Sequence, residues 1–162
     1  MIHIERDDPT RWDVHQLLSE HLADMFATSP AESVHALDHS ALSETSITFW
    51  TARENGELLG CGALKILDSA DATTEQTSAQ YGEIKSMRTM ASARGRGVAT
   101  LMLRHIVDEA RRRYYQRICL ETGTEEYFAP ARRLYVRNGF IECPPFADYT
   151  TDPNSVFMEL RF

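Results

Sequence analysis

The sequence is short of positive charge, of long apolar runs and of cysteine, and each shortage closes off a class of function. Lys and Arg number 17 against 24 Asp and Glu, a net charge of -7 over 162 residues. Broad binding to nucleic acid or to a membrane surface needs a surplus of Lys and Arg, so neither is expected, and any polyanion partner must be local and small. No apolar run approaches the roughly 18 residues a membrane helix needs, and the start MIHIERDD has no signal-peptide pattern. The three cysteines, Cys61, Cys119 and Cys143, are widely spaced and form no C-x-x-C pair. They read as reduced, mostly buried thiols of a cytoplasmic protein. His35 and His39 could share a helix face, but no third ligand is in register, so no metal site is expected. There is no internal repeat.

What remains is an ordinary globular balance, 43% apolar and 25% charged, in a length that suits one domain over 1–162. IHIE alternates as a first strand. From Arg11 to Phe26, apolar Val14, Leu17, Leu18, Leu22, Met25 and Phe26 recur at helical spacing. SPAE then reads as a second helix start, with Ser29 as cap and Glu32 reaching back, running to Leu37. ITFWTARENGELLGCGALKIL is a hairpin, because Asn55-Gly56 tolerates the positive φ of a tight turn. DSADATTEQTSAQ has nothing to bury and is expected to be a mobile loop. YGEIKSMRTM resumes as a strand.

After Gly97, Val98, Met102, Ile106 and Ala110 step by four, with Leu103 and Val107 beside them, a stripe broad enough to lie on a sheet. His105 falls at the edge of that core. RICLET is a buried strand, Ala129 to Arg137 a helix stopped by Asn138-Gly139, and FIECPPFADY and SVFMELRF are closing strands. Strands alternating with helices imply an α/β sheet that is parallel in its middle.

The corner ASARGRG, between a strand and the long helix, raises the functional question. A helix start leaves backbone N–H groups unpaired and partly positive, so it can receive a phosphate. Gly95 and Gly97 permit a tight turn, and Arg94 and Arg96 supply donors. The same residues also suit a solvated surface loop. Two nucleotide motifs fail here: no Lys-Ser or Lys-Thr completes a P-loop, and GRGVAT lacks the third glycine of a dinucleotide fingerprint.

RGRGVA fits R/Q-x-x-G-x-G/A, and in this and other segments the chain resembles the GNAT superfamily of acyl-CoA-dependent N-acetyltransferases. GEIKSMRTM is similar to its fourth strand and ARRLYVRNGF to its A-x-x-L-Y-x-x-x-G-F helix ending. SPAESVHALD, GCGALK, LETG and PFADYTTDPNSVFM resemble a small bacterial branch of it. The resemblance implies a mixed, mostly antiparallel central sheet with a splayed parallel pair in its middle and about four flanking helices.

It also implies acetyl-CoA as co-substrate. The pantetheine arm would lie between the fourth and fifth strands on the backbone of Met87 and Thr89, with Arg88 between them. The pyrophosphate would sit on Gly95, Arg96, Gly97, Val98 and Ala99, with Arg94 and Thr100 nearby. Phe128 stands where many members have an asparagine, so no asparagine–CoA contact is carried over; Ala91 replaces a frequent proline.

The implied chemistry is attack of a neutral amine on the acetyl thioester. Glu83 is the candidate base: in an extended strand it shares a face with Lys85 and Met87, some ~13 Å from the latter. Glu121 on the fifth strand is the rival base, and Tyr135, matching the family tyrosine, is the candidate acid for the leaving thiolate. Met25, Ser33, His35, Phe146 and Tyr149 are expected to wall the acceptor, a small-molecule amine or amino-acid-like compound. Ser29 could join them or merely cap a helix. Lys85 and Arg88 stand equal as contacts for an acceptor carboxylate. Homodimers are frequent in this fold. A GNAT-fold sensor that binds acyl-CoA without turnover, and an unrelated phosphosugar-binding domain, are the competing readings.

Overall fold

Residues 1–68 and 80–162 are described by a computed structural model, in which seven strands form one sheet in the order β1-β2-β3-β4-β5-β7-β6. The strands are β1 (His3–Arg6), β2 (Ile47–Glu54), β3 (Glu57–Asp68), β4 (Gln80–Thr89), β5 (Arg117–Gly123), β6 (Ile141–Glu142) and β7 (Ser155–Arg161). The helices are α1 (Trp12–Thr28), α2 (His39–Leu42), α3 (Val98–Arg112) and α4 (Ala129–Arg137). The loop expected between β3 and β4 lies outside the described residues.

Alternation of side chains along β2 and β3 divides the core. Phe49, Cys61 and Ala63 meet Val14, Leu17 and Leu18 of α1 on one face. Trp50, Ala52 and Leu64 meet the α3 stripe on the other, where Met102, Leu103, Ile106 and Ala110 are almost wholly buried. Each of the three large side chains contributes roughly 1.5–3 kcal/mol and the Ala110 methyl about 0.8 kcal/mol, so the stripe alone anchors the helix. The hairpin turn is as expected: Asn55 (φ 50°) and Gly56 (φ 83°) close the Glu54–Glu57 pair.

Among the described strands the sheet is mixed and mostly antiparallel, with β4 and β5 as the one parallel pair in its middle, as the resemblance implies. Two expectations need correction. The helix expected from Ser29 to Leu37 is only a 3-10 turn at Ala31–Ser33, and α2 starts afresh with Asp38 accepting from the Ala41 N–H at 2.8 Å. Ser29 starts no second helix: it is the C-cap of α1, its N–H on the Met25 carbonyl, and its hydroxyl donates to Glu125 at 3.2 Å, while Ser33 donates to Asp152 at 2.7 Å. FIECPPFADY yields two strand residues only, since Pro144 and Pro145 offer no N–H to a ladder.

Two irregularities shape what lies between the layers. In β4, Ser86 takes φ +55°, and the register with β3 slips so that Gly62 alone faces Ser86 and Met87. This bulge reverses the alternation. Glu83 and Lys85 face α1, whereas Met87 turns to the α3 side, its sulfur beside Gly62 where a Cβ would sit 2.9 Å from it. The expected shared face of Glu83, Lys85 and Met87 therefore does not exist, and Arg88 joins the first two instead. The second irregularity is the β4–β5 ladder, which holds only Gly82↔Ile118 and Glu83↔Cys119 although both strands run several residues further.

Candidate active site

Beyond that last rung the strands diverge around a cavity of about 640 Å³ that reaches from the glycine corner through the gap to α1. At the corner, Gly95 (φ 79°) and Gly97 (φ 80°) hold backbone that L side chains avoid, and a Cβ on either would meet nothing within 4 Å. Gly97 is the N-cap of α3 and brings no side-chain bond, so the first N–H groups of the helix lack a partner within it. Arg94, Gly95, Gly97, Val98, Ala99 and Thr100 all line the cavity. Arg96 does not, because its guanidinium is paired with Glu54 at the tip of the β2–β3 hairpin.

Met87 and Thr89 line the gap from the β4 side, and Leu120 to Gly123 from β5. Arg88, expected with the cofactor, reaches the α1 side, where it donates to Asp24 at 2.5 Å and to the Tyr127 hydroxyl at 3.1 Å. Phe128 packs against Gly123, where a Cβ would lie 2.2 Å from its ring, so the position of the usual asparagine is filled by an apolar wall.

Tyr135 enters the cavity from α4 with only 6% of its surface exposed. Burial first, and the Glu121 charge second, hold its phenol well above the usual range, so it keeps its proton and can donate. Glu121 itself is pushed up to about 7 by burial, which outweighs the nearby Lys85 ammonium. A carboxylate in that range is matched to proton transfer near neutral pH.

Glu83 is more confined. It sits on the last rung, and its Oε2 accepts from the Tyr149 hydroxyl at 2.5 Å and from Lys85 Nζ at 3.2 Å. Lys85 also donates to Tyr149 at 2.9 Å and to the His35 carbonyl at 3.0 Å. Continuing the register of the two rungs sets Glu121 opposite Lys85, two residues short of Met87 rather than four.

Of the expected acceptor wall, Met25, Ser29, Ser33 and His35 line the cavity, and burial depresses His35, helped by Lys85. Phe146 and Tyr149 do not line it. Phe146 closes a small core with Tyr81, Cys119 and Phe157, while the Tyr149 hydroxyl bonds Glu83 and Lys85. The cavity also holds residues that sequence reasoning missed: His21, Tyr127, Arg137 and Asn154. His21 had a signal, a polar residue one turn beyond Leu17 and Leu18 on the apolar stripe of α1. Among the described residues no three His, Cys, Asp or Glu side chains could hold a metal ion, and no helix is long and apolar enough to cross a membrane.

Comparison with known proteins agrees with this geometry. The model of the Acetyltransferase (GNAT) family matches residues 14–140. The uncharacterised N-acetyltransferase YsnE of Bacillus subtilis is 52% identical over 97% of this chain and 97% of its own. A Klebsiella pneumoniae structure named as an acyl-CoA N-acyltransferase superposes with a TM-score of 0.77 at 30% identity, over 99% of this chain and 97% of that one. A GNAT acetyltransferase of Elizabethkingia anophelis, crystallised with acetyl-CoA bound, shares the fold at 16% identity, with a TM-score of 0.66 over 99% and 98% of the two chains. The divergent parallel pair, the glycine corner and these likenesses agree: the chain belongs to the GNAT family of acetyltransferases.

Proposed function

We propose that this chain is an N-acetyltransferase that moves the acetyl group of acetyl-CoA onto the primary amine of a small-molecule or amino-acid-like acceptor by direct attack. The observation that carries this reading is the short β4–β5 ladder. It opens a gap with a glycine-bent helix start at one end and two carboxylates at the other.

The corner suits a diphosphate. Open space over both glycines lets a ligand approach the main chain, and no acidic side chain stands among the cavity residues from Ala93 to Thr100. The amides from Gly95 to Ala99 would hold the pyrophosphate, with Arg94 and Thr100 beside them. The Met87 and Thr89 backbone would hold the pantetheine, the Met87 N–H polarising the thioester carbonyl. The amine nitrogen bonds to the acetyl carbon, the carbon–sulfur bond breaks, and the amine proton must go to a base.

Glu121 fits that task better than Glu83. Its ionisation near 7 keeps it available to an ammonium of ordinary pKa ~10. Two residues of strand, about 7 Å, separate it from the level of Met87, against ~13 Å for Glu83. Glu83, held by Tyr149 and Lys85, would shape the field of the site. Tyr135 would protonate the thiolate, whose pKa of ~8.5 makes the help useful rather than essential.

The test is thiol release from acetyl-CoA against a panel of amines, with the product identified by mass spectrometry. Turnover that falls in Glu121→Gln and Tyr135→Phe supports the enzyme. Tight acetyl-CoA binding by calorimetry without release from any amine supports a sensor instead.

A further inference from the structure

We propose that the acceptor carries a carboxylate next to its amine, held by Arg88, His21 and Ser86. The proposal rests on the transferase reading above and names its substrate class.

On the α1 side of the gap, among the described residues, the cations Lys85 and Arg88 stand close together, and they differ in whether a donor is left free. The Lys85 ammonium has three N–H groups and meets three oxygens, those of His35, Glu83 and Tyr149. Arg88 is different. Its Nη2 donates to Asp24 and its Nη1 to Tyr127, but its Nε has no partner among the described residues, on a side chain only 11% exposed. A buried N–H left unpaired is costly unless a ligand takes it.

Two more buried atoms share this state. His21 Nδ1 and Ser86 Oγ have no partner among the described residues, each residue is 8% exposed, and both line the same cavity as Arg88. Burial and the neighbouring Arg88 charge keep His21 neutral at physiological pH, so its ring can carry a proton on Nδ1 and donate it. A guanidinium N–H, an imidazole N–H and a hydroxyl form a set of donors. A carboxylate only accepts, and takes about four such bonds.

A merely structural role for Arg88, tying β4 to α1, is fulfilled by its Asp24 bond and leaves the three orphan atoms unexplained. Asp24 is 44% exposed and partly solvated, so it cancels the Arg88 charge incompletely.

The bulge at Ser86 also limits how far the two ends of the acceptor stand apart. Arg88 directly follows Met87, the proposed thioester contact, and the reversal of alternation turns its side chain toward α1. The anion contact and the thioester contact thus come from neighbouring residues, which suits an acceptor whose amine and carboxylate are close, as in a free α- or β-amino acid. A diamine carries no carboxylate, and the lysine of a folded protein carries none beside its side-chain amine.

The experiment compares matched triplets: an amino acid, its primary amide and the amine lacking the carboxyl carbon, each assayed for thiol release by the intact protein. The expected result is kcat/KM higher for the acid by on the order of 10- to 100-fold, the worth of a charge-assisted bond set. The difference should reside mainly in KM and shrink below ~3-fold in Arg88→Met and in His21→Ala. The comparison among substrates needs no variant, so misfolding of either variant leaves it intact. Equal use of acid, amide and amine overturns this proposal while leaving the transferase reading standing. Silence with every amine overturns both.

Discussion

The Tyr149 hydroxyl lies 2.5 Å from Glu83 Oε2, and this contact ties the loop before β7 to the last rung between β4 and β5. Burial first and the Glu83 charge second hold the phenol above its usual range, so it remains a donor at every ordinary pH. Tyr149→Phe should cost about 1–3 kcal/mol of stability by urea denaturation, because the Glu83 carboxylate and the Lys85 ammonium each lose a buried partner. A variant as stable as the parent would show the contact to be incidental.

The pH dependence of the rate should identify the base. With Glu121 ionising at about 7, kcat should rise with pH through that value and then level. Glu121→Gln should lose the rising limb and on the order of 10²-fold in rate, whereas Glu83→Gln should keep the limb.

The same group makes a stability prediction. The folded state raises Glu121 above its unfolded value, so its contribution is fully present below the unfolded pKa and is lost as pH rises through about 7. Glu121→Gln should therefore melt higher than the parent at pH 8.5, by a few degrees for roughly 2 kcal/mol, and the advantage should vanish at pH 4. Differential scanning calorimetry at the two pH values checks the sign.

Tyr135→Phe should lower kcat by ~10- to 100-fold with KM little changed, since the hydroxyl acts only as the thiolate departs. A pure rise in KM would assign Tyr135 to binding instead.

At the corner, Gly97→Ala meets no clash but must hold φ +80°, a strain of about 1–2 kcal/mol. Its methyl would also stand where a diphosphate approaches. Calorimetry should record at least a ~10-fold weaker Kd for acetyl-CoA. Arg94→Ala should weaken binding most at low salt. Arg96→Ala should change it less than ~2-fold, because that guanidinium is engaged by Glu54.

Features governed by local period were legible in the sequence. The α3 stripe from Val98 to Ala110 and the Asn55-Gly56 turn follow from spacing and backbone sterics, and the structure reproduces both. What was not legible depends on partners far along the chain. Ser29 read as a helix cap and Ser33 as acceptor wall, yet they bond Glu125 and Asp152, 96 and 119 positions away. Nothing in GEIKSMRTM marks Ser86 as the residue with positive φ, and that bulge moves Met87 and Arg88 to opposite sides from those expected. Arg96 lay in the right motif, but Glu54, 42 positions earlier, draws it off.

Two rungs join the four strands β1 to β4 to the trio β5, β7 and β6. Across the rest of that seam the two halves of the sheet are held by what packs above and below, like a jacket fastened only at the collar. Any molecule that bonds both lips of the seam acts as a temporary zipper, so loading also stiffens the protein. Slower amide exchange along both lips would report that fastening directly.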